Sequence, residues 1–442
     1  NAFKILYSTR GVIFGAGYAD THATLFALRV LMVLALVCAA LFFVTARKEN
    51  WKLPALGLAV LVGVSILLGG IYPTIIQSAV VLPNEGTKER PYILNNIEAT
   101  RMAYGLDKIK EEEFPVKEEI SFEDIEKNDD TIRNIRLWDW RPIKQTLKQI
   151  QAIRLYYDFN SVDVDRYYFN GNYQQVMVSP RELDKDKIPE QARTWVNEVL
   201  TYTHGYGVVV NPVNKISGEG LPELLIKDIP PVSSVNLDIT RPEIYYGEIT
   251  KGYVIVKTKA KEFDYPKGDE NVYSTYAGNG GMPVSSLWRR ILFSIKFSNM
   301  QILLTTNLTP ESRIMINRNI QERVNKIAPF LGYDKDPYMV ISKEGKLFWI
   351  QDAYTISSNY PYSTPITGGY FNYIRNSVKV VIDAYNGTMD FYIIDQKDPV
   401  AEVYKNIFPQ LFKNFDQMPE DLKKHIRYPK DLFQAQAELY ST

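Results

Sequence analysis

Cysteine is nearly absent. The one present, Cys38, falls inside an apolar run, so the polar part of this 442-residue chain has neither a disulfide framework nor a thiolate metal ligand. Histidine is almost as scarce. His22, His204 and His425 lie far apart, which excludes a local histidine-rich metal motif. Excess charge is missing too, because 51 Lys and Arg balance 51 Asp and Glu. No overall field therefore points to nucleic acid or to an acidic partner. No G-x-S-x-G nucleophile turn occurs, and no glycine run continues as a phosphate-binding GK[ST] or sits in a strand-to-helix dinucleotide pattern.

What is present is apolar length. No residue from Leu53 to Asn84 is charged, and residues 24–46 form a second run of near-spanning length. About 20 apolar residues cross a bilayer, so both runs suffice with some tilt. The link RKENWKLP at 47–54 is too short for a domain, so the spans should be antiparallel neighbours. It carries Arg47, Lys48 and Lys52, which the positive-inside rule places in the cytoplasm, although Lys4, Arg10 and Arg29 lie on the opposite flank. The first run is not a signal peptide: it lacks a small-residue cleavage site and a second span follows.

The expected organisation is an extracytoplasmic segment 1–23, a span at 24–46, a cytoplasmic loop at 47–53, a span at 54–82 and an extracytoplasmic α+β domain at 83–442. A subdomain break is expected near 110–130 or 284. Asn1 at the start and ELYST at the end of a helical pattern read as a piece of a longer protein. Ala55, Ala59, Gly63 and Gly70 offer a helix-packing face, toward the first span or toward spans outside this chain. Arg29 sits about one turn into its span, placed to snorkel.

Beyond residue 85, Pro91 and Gly105 bound a predicted helix at 91–104. The acidic stretch 110–130 reads as a solvated linker. A helix is expected at 142–152, and residues 163–179 form a hairpin about a type I′ Asn170-Gly171 turn. Next comes a helix at 189–204, stopped by Gly205. A hairpin is expected at 243–258, with helices at 284–304 and 310–328. The strands at 345–355 and 377–388 both end in Asp-Ala-Tyr, and the second turns through Asn386-Gly387, again as type I′. From 399 on, the pattern is helical. Antiparallel sheets with flanking helices are thus the expected fold of this part.

Three segments offer chemistry. Asp163 and Asp165 flank Val164 and share one face of a strand, where paired carboxylates suit acid–base work or a cation; the same spacing also suits the wet face of a half-buried strand. His204 before Gly-Tyr-Gly sits where a helix C-terminus would raise an imidazole pKa, or is simply a favourable last residue before a capping glycine. Asp264, Asp269 and Glu270, with the glycines at 278–281, form a long acid-rich loop whose oxygens would suit calcium; no cofactor is otherwise predicted, and several glycines can equally serve only to turn the chain. In addition, Trp288-Arg-Arg-Ile-Leu-Phe293 opens a basic amphipathic helix, readable as a lipid-surface element or as a core helix with its charges in water.

HGYG at 204–207, TRPEIYYGE at 240–248, EFDYPKGDENVYSTYAGNGG at 262–281, IAPFLGYDKDPY at 327–338 and HIRYPKDLF at 425–433 resemble one family. So do RGVIFGAGYADTHA at 10–23 and ERPYILNNIEATRMAYGL at 89–106. It is uncharacterised protein family 0182, large bacterial integral membrane proteins. The resemblance implies further spans before this segment, more soluble chain after it and a large extracytoplasmic domain. It implies no activity and no site residues.

The reading favoured on sequence is a cell-membrane envelope protein whose outer domain binds other envelope components or self-associates. Its partners are the lipid bilayer and envelope proteins, not nucleic acid. The alternatives are an envelope hydrolase using His204 with acids such as Asp163 or Asp165, and a transporter or lipid-handling protein.

Overall fold

A computed structural model describes residues 2–45, 52–116, 119–268, 270–366, 368 and 370–441. Most of the expected link at 47–53, with Arg47 and Lys48, lies outside the described residues, as does Asp269. The chain is α+β with antiparallel sheets and two apolar helices near its start. It divides into two compact units.

One unit gathers Asn1–Glu113, Thr355–Arg375 and Asp431–Thr442. Its helices Asp20–Thr45 and Lys52–Lys88, of 26 and 37 residues, are long and apolar enough to cross a membrane. The second helix widens into a π turn at Leu67–Ile71, just before Pro73, which has no amide hydrogen to continue the ladder. The helices meet where Cys38 Sγ donates to Gly57 O at 3.3 Å. A Cβ on Gly57 would stand 3.3 Å from that sulfur, whereas Gly63 and Gly70 have open space around them. The small-residue face anticipated at Ala55, Ala59, Gly63 and Gly70 is therefore not the seam between these two helices.

Asn96 ties the same unit together. It lies on the helix Arg90–Tyr104, ended as expected by Gly105 at φ +70°. Its Nδ2 donates to Phe14 O (2.9 Å), Tyr362 O (2.6 Å) and Thr364 Oγ1 (3.1 Å), so one buried amide joins three stretches distant in sequence. Tyr104 O accepts from Gln436 Nε2 at 2.8 Å, which fastens the last helix, Lys430–Tyr440.

The other unit, Phe114–Tyr354 and Asn376–Lys430, holds two main sheets. In the first, Asn172–Leu183 is central, paired with Asp163–Phe169, Tyr157–Phe159 and Val208–Pro212. The Asn170-Gly171 turn has φ of 52° and 84°, positive at both central residues as a type I′ turn requires. In the second, Leu347–Ser357 and Tyr373–Asp383 are neighbours, and Met389–Ile393 pairs with Tyr373–Asp383 and, in parallel, with Phe412–Asn414. Val176, Val178, Val208 and Val210 share one core with Trp349, Val378, Val380 and Phe391.

Four local expectations are corrected. Residues 243–258 do not form a hairpin: Glu243–Ile244 pairs with Gly205–Tyr206, and Val254–Val256 with Arg313–Met315. The helix expected from 310 begins only at Ile320, capped by Asn319, because Arg313–Met315 is that partner strand. The helix expected to reach His204 ends at Thr201, and Gly205 opens a strand. A Cβ on Gly205 would lie 2.6 Å from Arg181 O, so the glycine serves close backbone approach rather than capping. The turn at Asn386-Gly387 is not type I′. Only Gly387 has positive φ, since the Asp383 carboxylate accepts the Tyr385 and Asn386 amides at 2.8 and 3.1 Å and sets an Asx turn instead.

Candidate functional site

The strand Asp163–Phe169 alternates as the period-2 rule requires, but its inward residues are Asp163, Asp165, Tyr167 and Phe169. The paired carboxylates do not form a wet face. They are buried because the loop at 425–429 supplies a matching pair of bases. His425 Nδ1 lies 2.8 Å from Asp165 Oδ2, and Arg427 Nη2 lies 3.3 Å from Asp163 Oδ1. Arg427 also donates to Val164 O at 3.1 Å, and its guanidinium lies 3.7 Å over the Tyr338 ring. Burial pushes the Asp163 carboxyl up to about 6, against the charge of Arg427. Beneath this clasp, Lys379 forms an ion pair with Asp352 and donates to Arg427 O at 3.1 Å.

Above the clasp opens a cleft of about 640 Å³. Tyr167, Tyr168, Phe169 and Tyr173 supply aromatic surface, and Arg166, Lys343, Lys424 and His425 supply basic groups beside one carboxylate, Asp421, which accepts the Lys343 amide at 3.1 Å. Tyr168 is 65 % exposed and meets Tyr173 edge-on at 5.7 Å. The Tyr167 ring lies 4.5 Å from His425. With Nδ1 held by Asp165, Nε2 is the ring nitrogen left for a ligand, the arrangement by which a carboxylate orients an imidazole. His425 and Arg427 have no role in the sequence reading. The signal was the matched spacing, two acids two residues apart and two bases two residues apart.

His204 stands elsewhere. Its side chain has no exposed surface. One ring nitrogen lies 2.8 Å from Thr203 Oγ1 and the other 3.2 Å from Asp264 Oδ1, so both are engaged within the protein. Asp163 and Asp165 are not its partners. Glu262, below it, accepts from Thr203 Oγ1 (2.7 Å), Tyr245 OH (2.8 Å) and the Tyr276 amide (2.9 Å).

The acid-rich segment is a hairpin, Glu262–Lys267 with Glu270–Ser274, rather than a long loop. Asp264 turns toward His204, whereas Glu270 is exposed at the turn. The glycines after it are needed for contact: a Cβ on Gly278 would lie 2.3 Å from Asn386 Oδ1, and one on Gly280 would lie 2.4 Å from Asn386 O.

A second acid pair was not anticipated. Glu182 is buried and accepts the amides of Glu248 and Ile249, both at 3.1 Å. Glu248 accepts from Ser161 Oγ at 2.5 Å. Burial raises Glu182 to about 7 and Glu248 to about 8. A free Glu titrates near ~4.3, so the folded chain keeps protons that the unfolded chain has released. This contribution is fully present below the unfolded pKa and is lost as pH rises through 7 and 8. The stability of this unit, read as its urea midpoint, should therefore fall from about pH 4.3 upward and level off above about pH 8, a loss on the order of a few kcal/mol. Glu248→Gln should flatten the fall. An unchanged slope in that variant would remove the pair as the cause.

Comparison with known proteins covers the whole chain. Residues 1–442 match the family described as Uncharacterised protein family (UPF0182). A UPF0182 protein of Desulforamulus reducens is 52% identical over 439 residues, 99% of this chain and 47% of its own length. Those of Pelotomaculum thermopropionicum and Trichodesmium erythraeum are 52% and 47% identical, again over 99% of this chain and over 48% and 50% of their own lengths. This chain thus spans about half the length of the curated relatives it matches. No solved structure matches it. With the match running from its first residue to its last, the chain belongs to the uncharacterised protein family UPF0182.

Proposed function

We propose that this chain is a membrane-anchored part of a bacterial envelope protein, that its second compact unit is an extracytoplasmic binding module, and that the tyrosine-lined cleft is the ligand site. Two long helices with almost no buried surface support the anchor. The bases Arg47, Lys48 and Lys52 beside them support a cytoplasmic link, and hence an outer position for the chain that follows. The observation that carries the binding role is the cleft, where aromatic faces, three cations and an oriented imidazole converge. Flat aromatic surface suits sugar rings or peptide planes, and Arg166, Lys343 and Lys424 suit carboxylates. An acidic saccharide or peptide of the envelope is therefore the ligand class.

One experiment addresses both side and site. Tyr168→Cys, in a Cys38→Ser background, should react with a membrane-impermeant maleimide on spheroplasts, and soluble muropeptides should slow the reaction severalfold. Reaction only after lysis overturns the outer placement; reaction that muropeptides leave unchanged overturns the cleft as their site.

The His425–Asp165 contact favours one second reading, acid–base catalysis in the same cleft with His425 as general base toward water. Under it, His425→Gln abolishes muropeptide cleavage while muropeptides still protect the thiol of the Tyr168→Cys variant. Failure of the parent protein to cleave them removes this reading.

A further inference from the structure

The helix Leu287–Lys296 is turned the opposite way from a core helix. Its N-cap is Ser286, which accepts the Arg289 amide. Ser294 is its buried residue, and Phe293 and Phe297 pack beside Val284, Ile302 and Ile314. The apolar stripe faces water: Trp288 is 76 %, Leu292 61 % and Ile295 70 % exposed, and Leu304 on the next short helix is 72 % exposed. Trp288, Leu292 and Ile295, at i, i+4 and i+7, share one exposed face of this helix and mark a contact surface.

Charge identifies what covers it. From Asn271 to Pro310 there is no Asp or Glu, while Arg289, Arg290 and Lys296 flank the stripe. Arg289 and Arg290 reach back to Pro283 O and Val284 O, which leaves the stripe itself free of charge. Another exposed apolar stretch of this unit, with Phe122, Ile125 and Ile132, is interleaved with Glu123, Asp124, Glu126, Asp129 and Asp130. Of the two, only the first combines apolar exposure with net positive charge, the composition of a helix lying in the headgroup layer of an anionic leaflet.

We propose that the Leu287–Leu304 surface seats on an anionic lipid leaflet as a membrane contact separate from the two long helices. It rests on the anchored reading only in that a bilayer is within reach. The test uses the full chain with Cys38→Ser and Leu292→Cys, labelled with NBD and reconstituted into vesicles of phosphatidylcholine with or without phosphatidylglycerol. NBD emission should rise severalfold and shift to the blue in the phosphatidylglycerol vesicles, and doxyl-lipid should quench it. Ile216→Cys, exposed elsewhere on the same unit, should stay accessible to iodide. Arg289→Glu with Lys296→Glu should abolish the dependence on phosphatidylglycerol. NBD that stays in water on floated vesicles overturns the lipid contact. NBD already blue in detergent without lipid, or the unlabelled thiol of the Leu292→Cys variant cross-linked to a second copy, overturns it in favour of a protein occupant. Failure of the protein to float with either vesicle instead overturns the anchored reading.

Discussion

Lys379→Ala should cost about 3–5 kcal/mol, a large share of a stability on the order of 5–15 kcal/mol. Lys379 and Asp352 are both buried, on neighbouring strands, and burial pushes the Lys379 amine down and the Asp352 carboxyl up. Removing the lysine strands a carboxylate whose other side-chain contact is Asn376 Nδ2 at 3.2 Å, and it frees Arg427 O as well. The double change Lys379→Met with Asp352→Leu removes both charges and puts apolar side chains in their place. It should recover most of the loss, because desolvation consumes much of what a buried pair gains. Urea denaturation of the parent, the single and the double variant checks this. A double variant no more stable than Lys379→Ala would show that the pair itself, rather than the stranded charge, carries the energy.

Trp349→Ala should cost a similar ~3–5 kcal/mol by a different route. The indole is buried in the core shared by the two main sheets, and its Nε1 donates to Tyr246 O at 2.9 Å. The Tyr246 ring is fixed in turn, since a Cβ on Gly387 would lie 2.4 Å from it. Truncation thus opens a cavity at a place that cannot collapse and leaves a carbonyl without its donor. Trp349→Phe keeps much of the volume and should lose only the hydrogen bond with part of the packing, about 1–2 kcal/mol. A Trp349→Phe loss equal to that of Trp349→Ala would contradict the division into cavity and hydrogen bond.

Local signals were legible where chemistry is local. Asn170-Gly171 specifies its hairpin because few other residues accept positive φ at both positions. Gly105 ends its helix for the same reason. The α+β class and the two apolar helices followed from periodicity and from the absence of charge. Non-local partnerships were not legible. Period 2 puts Asp163 and Asp165 on one face but cannot say which face, because that depends on His425 and Arg427. The helix expected from 310 gives way because Arg313–Met315 pairs with Val254–Val256. The stripe at Trp288, Leu292 and Ile295 has helical period but no mark of in or out. His425 reads only as an isolated histidine because its acid is 260 residues away.

That separation has a consequence in time. The strand bearing Asp165 leaves the ribosome roughly 13–52 s before His425, at ~5–20 residues per second. Throughout that interval the two carboxylates have no bases to meet, and burying them would be costly. The first sheet therefore stays open on that face until His425 and Arg427 have emerged.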